Sequence, residues 1–150
     1  MFADISNVNL FHGQRILSER NLSLEPTNAV FPFDAGELKE VQSDIHMKYT
    51  DDEGAVYFRI ENQSDICNTM PVRDMGYQYA GYQQQVKKQM KKNEREKIFP
   101  KRYSQVLPEG QKLCPVITMV LNYSQKEWKT PISIKQMLEV PKRLREKIEP

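Results

Sequence analysis

Asp44, Glu61 and Gln63 are residues whose types and spacing could do chemistry together. Two short runs rich in β-formers, Asp44–Thr50 and Ala55–Gln63, flank the turn-like tetrapeptide Asp51-Asp52-Glu53-Gly54 and predict a β-hairpin. With 51–54 as its loop, Thr50 faces Ala55, while Ile45 with Ile60, Met47 with Phe58 and Tyr49 with Val56 form one apolar face by the strand period of two. The other face pairs Asp44 with Glu61, His46 with Arg59 and Lys48 with Tyr57, and Gln63 follows Glu61 on that face. Two carboxylates directly opposite, with Cβ atoms about 5 Å apart, repel unless something offsets them. A hard divalent cation would do so. Mg²⁺ is typically held by one or two carboxylates with waters and substrate phosphate oxygens, and such an ion polarises a phosphodiester and activates water. The competing reading is a solvated polar face on an ordinary hairpin, and a slip of one residue in register would scatter the constellation.

Other residues carry weaker chemistry. The segment Lys87–Arg102 holds eight basic and two acidic residues and could lie along phosphates, with Lys87, Lys88, Lys91 and Lys92 on overlapping faces of one helix; a solvated helix end is the alternative. Arg73, near a helix start, could contact phosphate or pair with Asp74 or Glu61. His46 could be a base or ligand, although such a residue is more often a surface histidine. Tyr77, Tyr79 and Tyr82 invite a tyrosine-recombinase reading, but helical packing explains Tyr79 and Tyr82 better, and no His/Arg constellation lies near them in sequence. Cys67 and Cys114 match no metal or redox spacing and read as reduced, mostly buried side chains.

The surrounding elements must position these residues. The sequence is 150 residues long and 39% hydrophobic, which suits one domain over 1–150 with a compact core. Residues 2–20 predict a helix with Phe2, Ile5, Val8 and Phe11 on one face, and 21–37, with Pro26, Pro32 and Gly36, a loop. A second helix is expected to start at Asn68 or Thr69, with Pro71 and Asp74 in its first turn. Its apolar face is Val72, Met75, Tyr79, Tyr82, Val86 and Met90, and it runs into the basic segment. Val116–Leu121 predicts a strand covered on both faces. Ser133 caps a last helix through Leu138, before Pro141. Net charge is +2 but uneven: residues 1–75 carry 6 basic and 13 acidic side chains, and 76–150 carry 16 and 7. The acidic half could hold a cation and the basic half a polyanion. No apolar run approaches the roughly 20 residues of a membrane span, and residues 1–10 lack signal-peptide character, so a cytoplasmic protein without a membrane partner is expected. Oligomeric state is not legible.

Asp44, then Ile60-Glu61-Asn62-Gln63-Ser64, then Met70-Pro71-Val72-Arg73 resembles the recombination-promoting nucleases, also labelled transposases, of the PD-(D/E)XK superfamily. Their signature is Asp on one strand and Glu-x-Gln on the next, with Gln in place of the usual Lys. Phe2-Ala3-Asp4 through Phe11 and Gly13 is similar to the family's opening helix. Pro115-Val116-Ile117-Thr118 followed by Trp128 and Pro131 is similar to its later strand and loop. The resemblance implies an α/β, restriction-endonuclease-like αβββαβ core with a mixed sheet, and Mg²⁺-dependent (or Mn²⁺-dependent) cleavage of DNA linked to recombination. It implies that Asp44, Glu61 and the backbone carbonyl of Asn62 bind metal, while Gln63 orients water or a phosphate oxygen. Asp4 and Glu19 are candidates for an extra first-helix ligand. Against the family pattern the chain starts inside the first helix and stops before the next strand, so a piece of a longer chain or a short member is expected. An inactive DNA-binding or interaction module on the same fold is the alternative function.

Overall fold

Phe58 and Ile60 lie at the centre of the sheet, 2% and 1% exposed; full burial of such side chains stabilises by roughly 1.5–3 kcal/mol each. The computed structural model describes residues 1–32, 38–42, 44–97 and 107–144. In chain order it has α1 (Phe2–Phe11), β1 (Leu22–Leu24), β2 (Asn28–Pro32), β3 (Leu38–Gln42), β4 (Ile45–Thr50), β5 (Ala55–Gln63), α2 (Met70–Glu96) and β6 (Val116–Asn122). The architecture is mixed α/β. A four-stranded mixed sheet has the order β1-β4-β5-β6, and β2–β3 forms a separate antiparallel hairpin. Setting that hairpin aside, the elements follow the expected order αβββαβ. β1 and β4 pair antiparallel with their neighbours, and β6 is parallel to β5.

The β4–β5 register is the predicted one, from Ile45 opposite Ile60 to Thr50 opposite Ala55. The turn explains it locally. Asp51 Oδ1 accepts from the N–H groups of Glu53 and Gly54 at 2.9 and 3.0 Å, and Asp51 N–H donates to Gly54 C=O. A side-chain carboxylate thus takes the place of a backbone turn.

The sheet is covered on both sides. α1 packs on the apolar face, where Ala3, Leu17 and Phe58 form a core with Phe2, Leu10, Val56 and Ile117 against it. α2 covers the opposite face. Arg73 reaches Glu61, the Tyr77 ring stands 5.7 Å from the Arg59 guanidinium, and Gly81 meets Val116, the partner of Tyr57. Helix numbers rise while strand numbers fall, so α2 runs antiparallel to β5 and β6. The Gln85 amide fastens it to the lead-in of β6, donating to Cys114 C=O at 2.9 Å and accepting from Cys114 N–H at 2.7 Å.

Several expectations are corrected. The first helix ends at Phe11, not near residue 20, because His12 is left-handed (φ 53°) and Gly13 follows at φ 83°. Asn7 makes the exit specific: its amide binds Leu17 C=O and the N–H groups of Ile16 and Leu17. The buried face of α1 is therefore Ala3, Ser6 and Asn7, and Val8 is exposed. The 21–37 stretch contains β1 and β2, short strands whose pairing partners lie elsewhere in the chain; Gly36 lies outside the described residues. On α2 the buried residues are Met70, Pro71, Tyr77, Ala80, Gly81 and Asn93, while Val72, Met75 and Tyr79 are about half exposed. The apolar stripe is a poor guide here because this helix covers a polar sheet face, which favours Arg73, Tyr77, Gly81 and Gln85 at four-residue spacing over the apolar row. Thr69 does cap α2 by position, without a side-chain cap bond. Ser133 precedes only a short 3-10 turn, Ile134–Met137. Cys67 and Cys114 are free and half-buried rather than core residues.

Candidate active site

Glu61 is in the last third of β5 and only 3% exposed. Its Oε2 accepts from Arg73 Nη2 at 3.2 Å, and Arg73 Nη2 also donates to the Tyr77 hydroxyl at 2.9 Å. The Tyr77 hydroxyl also interacts with the Glu61 carboxyl, and the charge of Arg59 acts on it from two residues away on the same strand face. Burial pushes the Glu61 pKa up against the opposing pull of Tyr77 and Arg73, and the negative charge of Asp44 adds to the upward shift. Its second oxygen, Oε1, is buried with no hydrogen-bond partner among the described residues.

Asp44 sits in the bend immediately before β4 and is exposed. Its Oδ2 accepts from the backbone N–H of Asn62 at 2.6 Å, so the carboxylate itself continues the ladder beyond Ile45. Backbone alternation explains the geometry. Tyr57 N–H and Gln63 C=O bond toward the β6 side, so the polar groups of the even-numbered Asn62 face the β4 side. There β4 has ended, and Asp44 takes the N–H. The Asn62 carbonyl faces the same side as that N–H. Gln63 is half-buried and shares the face of Glu61 by alternation.

Asp44 and Glu61 are therefore near enough for one to shift the other, with a backbone carbonyl on the Asp44 side. The donors fit a hard cation: two carboxylates, one with an unsatisfied buried oxygen, and a backbone oxygen. Among the described residues no group of three or more His, Cys, Asp or Glu side chains could hold a metal ion, so any cation here would depend on these donors and on water or phosphate oxygens. Asp4 and Glu19 do not join the site. Both bind the terminal ammonium of Met1 at 2.9 Å, and α1 lies across the opposite sheet face.

Sequence reasoning missed how deeply the polar face is covered. His46, expected at the surface, is 3% exposed; its Nδ1 lies 2.8 Å from Pro26 C=O, so the proton sits on Nδ1, and burial lowers its pKa. Arg59, which strand alternation puts on the Glu61 face, and Tyr77, which the sequence pattern did not assign there, both lie beside Glu61 and are fully buried. The four-residue spacing from Arg73 to Tyr77 was the available signal, because it puts both on one helix face. Arg73 lies in the carboxylate cluster, tied to Glu61 and Tyr77. Lys87, Lys88, Lys91 and Lys92 are exposed on α2, but toward the other end of the sheet. At 1.5 Å per residue, the fifteen residues from Arg73 to Lys88 span about 22 Å, so the basic helix end does not border the carboxylates. The rest of the basic segment, including Lys101 and Arg102, lies outside the described residues.

No helix among the described residues is long and apolar enough to cross a membrane. Neither the curated proteins nor the solved structures yielded a match to the chain. A family model described as "Putative transposase, YhgA-like" matches residues 14–149, a span that includes Asp44, Glu61, Arg73 and the whole sheet. That coverage shows that the chain belongs to the YhgA-like transposase family, whose description implies a DNA-directed role.

Proposed function

We propose that this chain is a metal-dependent DNA endonuclease of the PD-(D/E)XK type. One observation carries the reading: the buried Glu61 carboxyl, with Oε1 unsatisfied, beside Asp44 at the end of the neighbouring strand. Asp44, Glu61 and the Asn62 carbonyl would hold Mg²⁺ or Mn²⁺. When bound, such an ion lowers the pKa of water and polarises the phosphodiester. Hydrolysis forms a bond from the water oxygen to phosphorus and breaks a P–O ester bond, and the leaving oxygen takes up a proton. Gln63 is uncharged, so it orients water or a phosphate oxygen and does not act as a cationic stabiliser. Arg73 holds Glu61 in place and supplies positive charge beside it. Tyr77 is a poor nucleophile for a covalent route: it is 1% exposed, and burial raises its pKa.

A second reading, a catalytically silent DNA-binding module, is favoured by the Arg73–Glu61 ion pair, which compensates the buried carboxylate without a metal. Plasmid nicking with Mg²⁺ or Mn²⁺ against EDTA separates the two. Divalent-dependent nicking that falls by at least about a hundredfold in both Glu61→Gln and Asp44→Asn, each folded by circular dichroism, is the expected result. Removing a group that stabilises charge in the transition state typically costs that much. Nicking that is unchanged in both variants assigns the cutting to other residues, and no nicking with either ion supports the silent module.

A further inference from the structure

Five cations converge at the end of the sheet opposite Glu61. Lys48 from β4, Lys88, Lys92 and Arg95 from α2, and Lys112 from the segment before β6 line one cavity of about 280 Å³. Lys88, Lys92 and Arg95 fall at four- and three-residue spacing, on one helix face. Lys48 Nζ lies 5.7 Å from the centre of the Tyr57 ring, which also borders the cavity. Among the described residues no carboxylate lines it, and none of the five cations is in an ion pair. Glu25 lines the adjoining cavity that Lys88 also borders; one carboxylate set against five cations leaves a large positive surplus. Like charges gathered from three separate parts of the chain raise the energy of the fold unless an anion offsets them.

We infer that this cleft is a second DNA contact, a groove for the phosphodiester backbone about 22 Å from the carboxylates. The inference builds on the DNA-directed reading of the chain and adds where the backbone is held. It also redistributes the basic residues of α2. Lys88 and Lys92 face the cleft, whereas Lys87 and Lys91 do not line it.

The test is binding of a fluorescently labelled duplex to the whole chain, measured by anisotropy in EDTA over a range of salt concentrations. Each lost phosphate contact reduces the slope of log affinity against log salt by about 0.9. Lys48→Gln with Lys112→Gln, which leaves α2 untouched, is expected to flatten the slope by about 1–2. Lys88→Gln with Lys92→Gln is expected to do the same, and Lys87→Gln with Lys91→Gln to leave the slope unchanged. A Lys48/Lys112 variant with the wild-type slope overturns the proposal. So does a slope lost only in the Lys87/Lys91 variant, because the contact then lies on the other helix face. Because EDTA removes divalent ions, failure here leaves the nuclease reading intact if Mg²⁺-dependent nicking persists. Conversely, the cleft can stand where nicking is absent.

Discussion

At the residue scale, Glu61 is a carboxyl whose folded pKa is raised by burial above its ordinary value of 4.5. The native state therefore keeps a proton after the unfolded chain has lost it. As pH rises from about that ordinary value through the folded pKa, this group lowers stability, and the loss is complete above the folded pKa. Glu61→Gln has no such proton to lose. In metal-free buffer, wild-type stability relative to Glu61→Gln should decline across that window, as followed by urea denaturation at several pH values. Mg²⁺ should reverse the trend for wild type alone, because it binds the ionised carboxylate; a site at one hundred times its Kd stabilises by about 2.7 kcal/mol. A pH-independent difference between the two proteins would show that burial does not control this carboxyl.

At the element scale, α2 comes close to the sheet at Gly81, where an added Cβ would lie 2.9 Å from Val116 Cγ2. Val116 is β-branched, on a strand and 5% exposed, so it has little freedom to turn away. Alanine at 81 gains about 1 kcal/mol of helix propensity but meets overpacking of roughly 1–3 kcal/mol. Gly81→Ala should therefore lose about 1 kcal/mol by denaturant titration. Val116→Ala should be destabilising alone and yet partly rescue Gly81→Ala, since the added methyl fills the space that the valine leaves. A double-mutant cycle additive within about 0.5 kcal/mol would mean that the helix and strand do not touch there. The same glycine, which by propensity alone weakens the helix, is what lets α2 lie close enough for Arg73 and Tyr77 to reach the β5 carboxylate.

At the scale of the whole molecule, α2 is the ruler. It carries Arg73 at the carboxylate end and Lys88 at the cationic end, and duplex DNA rises about 3.4 Å per base pair along one strand. A duplex that engages both ends must extend over roughly seven base pairs. Lys48→Gln with Lys112→Gln should thus lower kcat/KM severalfold on hairpin DNA with a stem of about twelve pairs, while a stem of about five pairs, unable to reach the cleft from the site, should be cut equally by both proteins. An equal loss at both stem lengths would mean that the cleft is not a remote contact along the DNA.

The hairpin register was legible because a period-two pattern on both strands and a turn with its own side-chain bonds specify the same pairing. Short-range chemistry was enough to place Ile45 against Ile60 and to put Glu61 and Gln63 on one face. The apolar β6 was legible as an unbroken apolar run, but β1, β2 and β3 were not, and the αβββαβ order rested on the family resemblance. What covers each face was not. The polar face read as open to solvent, and only tertiary packing shows α2 lying over it, burying His46, Arg59 and Glu61. Apolar periodicity misplaces the buried face of that helix because its sheet-facing side chains pair with charges, and charge pairing has no period of its own in sequence. The reach of the basic end was also beyond one-dimensional reading, since the direction of α2 across the sheet decides whether its lysines meet the carboxylates. The helix runs antiparallel to β5, so residues near in sequence to the site strand stay beside Glu61 and the lysines are carried away to join Lys48 and Lys112.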